Sequence, residues 1–181
     1  MPPAGSGKAQ WQCDAQGKAM RTRERQLILL LDDHAAVRHG LALMLAEEGV
    51  GDSREAAGRG EALEAAGRER PDVALVDLSP GTEDALQLVA ELCARNVPVL
   101  VCSMHEAPSY VRRALAAGAR GYITKREAPR ELARAVRDVL DGWMLISPCA
   151  AQGLGVVQSG RWPDGASSPN VRPTKASGEY T

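Results

Sequence analysis

Val73-Ala74-Leu75-Val76-Asp77, set between Pro71-Asp72 and Leu78-Ser79-Pro80-Gly81, decides how this chain folds. Four apolar residues suit a buried strand, and they run straight into a carboxylate and a turn-forming Ser-Pro-Gly. An acid at the carboxyl end of a buried strand stands at the rim where open α/β sheets place their ligands. A second apolar run, Leu27-Ile28-Leu29-Leu30-Leu31, ends the same way in Asp32 and Asp33. Two such ends raise the question of whether the three acids share one site.

Working outward from these runs, the hydrophobic period changes repeatedly. Val37, Leu41, Met44 and Leu45 recur at helical spacing, which predicts a helix over 35–48 stopped by Gly49, with Arg38, Glu47 and Glu48 outward. A short edge strand is expected within 50–57, although Gly51-Asp52-Ser53-Arg54 is poor strand material. Residues 60–70 read as a helix ending before Pro71, and 83–95 as a helix burying Leu88, Val89 and Leu92. Val97 to Cys102 is a fourth strand, with Pro98 tolerable only at its start. A helix over 107–117, a fifth strand over 120–124 and a last helix from Pro129 to Gly142 complete the alternation. This (βα)₅ pattern predicts a doubly wound, five-stranded parallel sheet with helices on both faces and strand order 2-1-3-4-5.

The periodic region spans 26–148. Residues 1–25 are mildly basic and lack periodicity, and 149–181 are rich in Gly, Ser, Pro and Ala; both are expected to be disordered extensions. Of 181 residues, 44% are hydrophobic and 25% charged, the balance of a globular chain able to bury a core. A net charge of -1 carries no signature of nucleic-acid or membrane binding, and no long apolar stretch suggests a membrane span. The N-terminus has no apolar segment of the secretory kind. Cys13, Cys93, Cys102 and Cys149 lack metal-site spacing and read as reduced thiols of a cytoplasmic protein.

In a doubly wound sheet the strand ends share one rim, which brings Asp32, Asp33 and Asp77 together with Ser103 after the fourth strand and Lys125 after the fifth. Clustered carboxylates repel one another unless a cation is bound, and an all-oxygen site with room for water suits Mg²⁺. A hydroxyl and an ammonium facing such a site match the outer oxygens of a phosphoryl group, with Asp77 as the candidate nucleophile. Each residue also has a plainer role open to it. Asp32 or Asp33 suits an N-cap, Asp77 and Ser103 suit turn caps, and Lys125 suits a solvated surface. His34, His39 and His105 are spread out and are assigned no metal.

Asp32-Asp33-His34, Val76-Asp77-Leu78-Ser79, Cys102-Ser103-Met104-His105 and Gly121-Tyr122-Ile123-Thr124-Lys125 together resemble a response-regulator receiver domain of the NarL/FixJ type. The resemblance covers about residues 26–148 and implies a flavodoxin-like, CheY-like fold. It implies that Asp77 accepts phosphate from a phosphohistidine of a sensor kinase or phosphotransfer protein. Asp33, Asp77 and the Ser79 carbonyl would hold Mg²⁺, with Asp32 acting mainly through water. Ser103 would turn toward the phosphate, Tyr122 would follow as the aromatic switch, and Lys125 would bind a phosphate oxygen. Output would come from a protein-interaction face over residues 107–141, with a homodimer as one form of readout and no turnover chemistry beyond self-catalysed transfer and slow autodephosphorylation.

Three departures stand out. Pro80 comes one place early, Ala85 replaces a glycine after Asp84, and Arg126 follows Lys125 where the family has proline. A cis bond before a non-proline residue costs about 2.5–4 kcal/mol. Residues 149–181 resemble no helix-turn-helix, so the chain is expected to contact no nucleic acid as it stands. A DNA-binding regulator shortened by truncation or frameshift is the alternative. A haloacid-dehalogenase-like phosphatase is a further one, weakened by His34 standing where its Asp-x-Asp motif needs an acid.

Overall fold

The computed structural model describes residues 10–13, 19–22, 25–78 and 83–151. Its elements are β1 (Gln10–Cys13), β2 (Ala19–Thr22), β3 (Leu27–Leu31), α1 (Ala35–Glu47), β4 (Asp52–Ala56), α2 (Arg59–Arg68), β5 (Val73–Val76) and α3 (Glu83–Ala94), followed by β6 (Val99–Ser103), α4 (Pro108–Ala116), β7 (Gly121–Thr124), α5 (Pro129–Leu140), β8 (Leu145–Ile146) and α6 (Pro148–Ala151). The main sheet is parallel, with order β4-β3-β5-β6-β7-β8.

The doubly wound parallel sheet is therefore as expected, with one correction: it has six strands rather than five. The sixth, β8, is two residues long and carries no period of its own to read. The N-terminal stretch expected to lack structure contains an antiparallel pair, β1 with β2, in which Gln10 faces Thr22 and Cys13 faces Ala19. Residues 152–181 of the expected tail lie outside the described residues.

Alternation along each strand divides the core in two. Leu29, Leu31, Ala74, Val76, Val99, Val101 and Tyr122 point to one side, under α2, α3 and α4. Ile28, Leu30, Val73, Leu75, Leu100, Cys102 and Ile123 point to the other, under α1 and α5. All four residues of β5 are buried, as expected of a central strand covered on both faces. Each of its Val and Leu side chains contributes about 1.5–3 kcal/mol relative to exposure. β4 is tolerably polar because it is an edge strand with a single neighbour, β3.

Helix ends follow from local chemistry. Pro108 and Pro129 open α4 and α5, where a missing N–H costs nothing. Gly49 takes φ +65 after α1, a left-handed conformation that side chains disfavour. Arg38 of α1 is not turned outward as its spacing suggests. Its guanidinium folds back to the Asp32 carbonyl (2.6 Å) and to Glu55 Oε2 (3.0 Å). Among the described residues no helix is long and apolar enough to cross a membrane.

Candidate functional site

Register places the acids. The β3–β5 ladder ends with Leu31 opposite Val76, so Asp32 and Asp77 leave the sheet side by side. The Asp77 N–H still donates to the Leu31 carbonyl (2.9 Å), which fixes the acid at the strand end. The next two strands continue the rim, with Ser103 opposite Thr124 and the Lys125 N–H donating to the Ser103 carbonyl (2.9 Å).

Lys125 joins the two central acids. Its Nζ lies 2.5 Å from Asp32 Oδ2 and 2.8 Å from Asp77 Oδ2. Asp32 is 2% and Asp77 9% exposed, so both carboxylates meet this ammonium nearly out of solvent. Burial alone works against a charged Lys125, but its hydrogen bonds to Asp32 and Asp77 outweigh that and hold its pKa above the ordinary lysine value. A lysine left to solvent, one of its readings from sequence, is not what the structure has.

Asp33 stands at the open side, 57% exposed, with Oδ1 2.7 Å from His34 Nδ1. Asp32, Asp33 and His34 each offer one donor atom, and these lie within 4.8 Å of one another. His34 was not expected in this cluster; it belongs there because it follows the paired acids directly. Neither Asp side chain caps the helix in the usual way. His34 occupies the N-cap position without a side-chain bond, and Asp32 Oδ1 accepts from the His34 backbone N–H (2.8 Å). The carboxylate oxygens of Asp32 and Asp33 are hard donors of the kind that suit a divalent cation such as Mg²⁺. Ser79 lies outside the described residues.

Ser103 and Tyr122 form the second half of the site. Ser103 is fully buried; its Oγ donates to the Leu78 carbonyl (3.0 Å) and accepts from the His105 N–H (3.2 Å). Tyr122 is buried too, and its hydroxyl donates to the His105 carbonyl (2.6 Å). The His105 ring stacks on Tyr110 of α4 with centroids 4.3 Å apart. One loop, from Ser103 to His105, is thus tied both to the residue after Asp77 and to the buried aromatic. Spacing alone did not reveal the Leu78 and His105 carbonyls as partners. No cis peptide bond occurs among the described residues, so the Lys125–Arg126 bond is trans.

Burial pushes the Tyr122 phenol up to about 12, with Asp77 adding to the rise and the Ser103 hydrogen bond opposing it. Burial likewise pushes the Cys102 thiol up to about 12, against the pull of Lys125. Both groups hold their protons more tightly folded than unfolded. Stability from them is intact below their unfolded values, about 8.5 for Cys and 10 for Tyr, and is lost as pH rises to about 12. Alkaline titration followed by tyrosinate absorbance is expected to show a step near pH 12 that disappears in Tyr122→Phe. An unchanged profile in that variant would contradict the assignment.

The chain belongs to the response regulator receiver domain family, which it matches over residues 28–137. It is 35% identical over 122 residues to the transcriptional regulatory protein UhpA of Salmonella typhimurium, covering 67% of this chain and 62% of that protein. It is 33% identical over 132 residues to the response regulator GacA of Pseudomonas aeruginosa, covering 71% of this chain and 62% of the relative. Among solved structures it resembles a LuxR-family two-component response regulator from an Aurantimonas species, at 32% identity and a TM-score of 0.66, covering 71% of this chain and 94% of that one. The chain spans about three-fifths of the length of the curated relatives it matches. The expected receiver family, its CheY-like fold and its kinship with NarL-type regulators are all found.

Proposed function

We propose that the chain is the phosphoacceptor switch of a two-component relay and that Asp77 carries the phosphoryl group. The observation that supports this most is the Lys125 bridge, which holds Asp32 and Asp77 together at the ends of β3 and β5. An Asp77 oxygen forms a bond to phosphorus as the phosphorus–nitrogen bond of a partner's phosphohistidine breaks. The electron pair returns to the imidazole, which takes a proton from water. Asp32, Asp33, Asp77 and the Ser79 carbonyl would hold Mg²⁺, which when bound neutralises charge on the transferring group. Lys125 is placed to release one carboxylate and bind a phosphate oxygen. Ser103 Oγ is placed to turn from the Leu78 carbonyl toward another.

The donor is a sensor histidine kinase or a phosphotransfer protein, and the chemistry is one stoichiometric transfer with slow autodephosphorylation. A cytoplasmic location suits it, as do the free thiols of Cys93, Cys102 and Cys149. Readout through protein contact, with a second copy as one candidate partner, fits a chain with little net charge.

Incubation with acetyl phosphate and Mg²⁺, followed by intact mass, tests the proposal. The expected result is one added phosphoryl group that requires Mg²⁺ and is absent in Asp77→Ala. A label that persists in Asp77→Ala moves the acceptor elsewhere, and multiple-turnover hydrolysis of a small phosphoester favours an enzyme instead.

A further inference from the structure

β4 is poor strand material, and Glu55, one residue from its end, is a charge where an apolar residue would pair better. Its contacts explain it. Glu55 lies opposite Leu30 in the ladder, and its Oε2 accepts from Arg38 Nε (3.0 Å). Arg38 stands near the start of α1 with its side chain largely out of solvent. The other arm of the guanidinium, Nη1, donates to the Asp32 carbonyl (2.6 Å). A planar fork of donors serves both partners at once, which the point charge of a lysine cannot.

The Asp32 carbonyl belongs to the peptide that joins Asp32 to Asp33. A peptide is planar, so holding its oxygen sets the plane from which both acids leave the backbone. Two further bonds brace the same turn. The Arg38 N–H donates to the His34 carbonyl (3.0 Å), and the Asp32 N–H points to the Ala56 carbonyl of β4 at 3.4 Å. β4 thus reaches the acidic turn by two routes, one through Ala56 and one through Glu55 and Arg38.

Charge gives Glu55 a second task. Arg38 sets a positive group beside acids that are to receive a divalent cation, and left unbalanced it would repel that cation. The Glu55 carboxylate cancels it. We propose that Arg38 and Glu55 are positioning residues for the cation site: Arg38 fixes the peptide between Asp32 and Asp33, and Glu55 aims the guanidinium and balances its charge. The inference rests on the Mg²⁺ reading above.

Cation affinity of the whole chain tests it, with Mn²⁺ followed by loss of its free-ion EPR signal and Mg²⁺ as competitor. Thermal unfolding without metal is followed in parallel. The double variant Arg38→Met/Glu55→Gln keeps the net charge of the chain and removes the hold on the carbonyl. Its affinity is expected to fall about tenfold relative to the parent, the low end for residues that orient metal ligands, at low and high salt alike. Glu55→Gln keeps an acceptor for Arg38 Nε and leaves the guanidinium unbalanced. Its affinity is expected to fall about threefold at low salt, with the loss shrinking as salt is raised. A double variant that melts earlier yet binds the ions like the parent overturns the positioning role. A Glu55→Gln affinity equal to the parent's at low salt overturns the charge balance, and it overturns the pair if the double variant does not fold. A parent chain that binds neither ion overturns the Mg²⁺ reading and this inference together, whereas a binding parent with unchanged variants overturns the pair alone.

Discussion

Lys125→Met is expected to lower unfolding stability at neutral pH by about 3 kcal/mol, the low end of what removing one partner of a buried ion pair costs. Lys125 is the shared counter-ion of two carboxylates at 2.5 and 2.8 Å, and both acids are almost out of solvent. Its loss leaves Asp32 and Asp77 facing each other across a region that water enters poorly. The low end applies because the lysine side chain is itself 14% exposed, so some solvent reaches the pair. One signature separates this electrostatic cause from simple loss of packing. Millimolar Mg²⁺ should restore more stability to the variant than to the parent, because the added cation replaces the missing charge. Chemical denaturation with and without Mg²⁺ measures it; equal stability of variant and parent would contradict the bridge.

Tyr122→Ala is expected to cost about 3–5 kcal/mol, against about 1 kcal/mol for Tyr122→Phe. The ring is fully buried among Val99, Val101, Val111 and their neighbours, so alanine leaves a cavity in the cluster under α3 and α4. Phenylalanine keeps that packing and loses only the bond to the His105 carbonyl. The contrast matters for function because the same hydroxyl ties β7 to the Ser103–His105 loop. Thermal or denaturant unfolding of the two variants reads the difference. Similar losses in both would mean that the hydrogen bond, not the ring, holds this part of the core.

The parts of the fold legible in the sequence are those whose burial leaves a pattern. Leu27–Leu31, Val73–Val76 and Val99–Ser103 are buried on both faces and read as continuous apolar runs. Their order along the chain, each followed by a helical period, fixes the doubly wound sheet. β4 carries a fainter pattern, since Asp52-Ser53-Arg54-Glu55-Ala56 is an edge strand whose only apolar residue is Ala56. β8 had no pattern at all. Leu145 and Ile146 become a strand because β7 offers free backbone groups, a tertiary cause that no local preference records. Residues 79–82, where Pro80 departs from the family, lie outside the described residues.

Legibility of the site divides the same way. That Asp32, Asp77, Ser103 and Lys125 share a rim follows from topology, and the structure brings these four together. Which atoms meet does not follow from topology. Lys125 could reach either acid, and it reaches both. Arg38 reads as an outward helix residue, yet it supports the Asp32 loop through a backbone carbonyl that belongs to no side-chain motif. Backbone carbonyls are invisible in side-chain patterns, and three of them, on Asp32, Leu78 and His105, organise this site.

The central claim is that Asp77 itself bears the phosphoryl group, and reductive trapping tests it most directly. Borohydride converts an aspartyl phosphate to homoserine, which peptide mapping locates residue by residue. Chain treated with acetyl phosphate and Mg²⁺, then with borohydride, is predicted to carry homoserine at position 77 and at no other aspartate. Trapping at Asp32 or Asp33, or label recovered from a serine or histidine instead, would contradict the account.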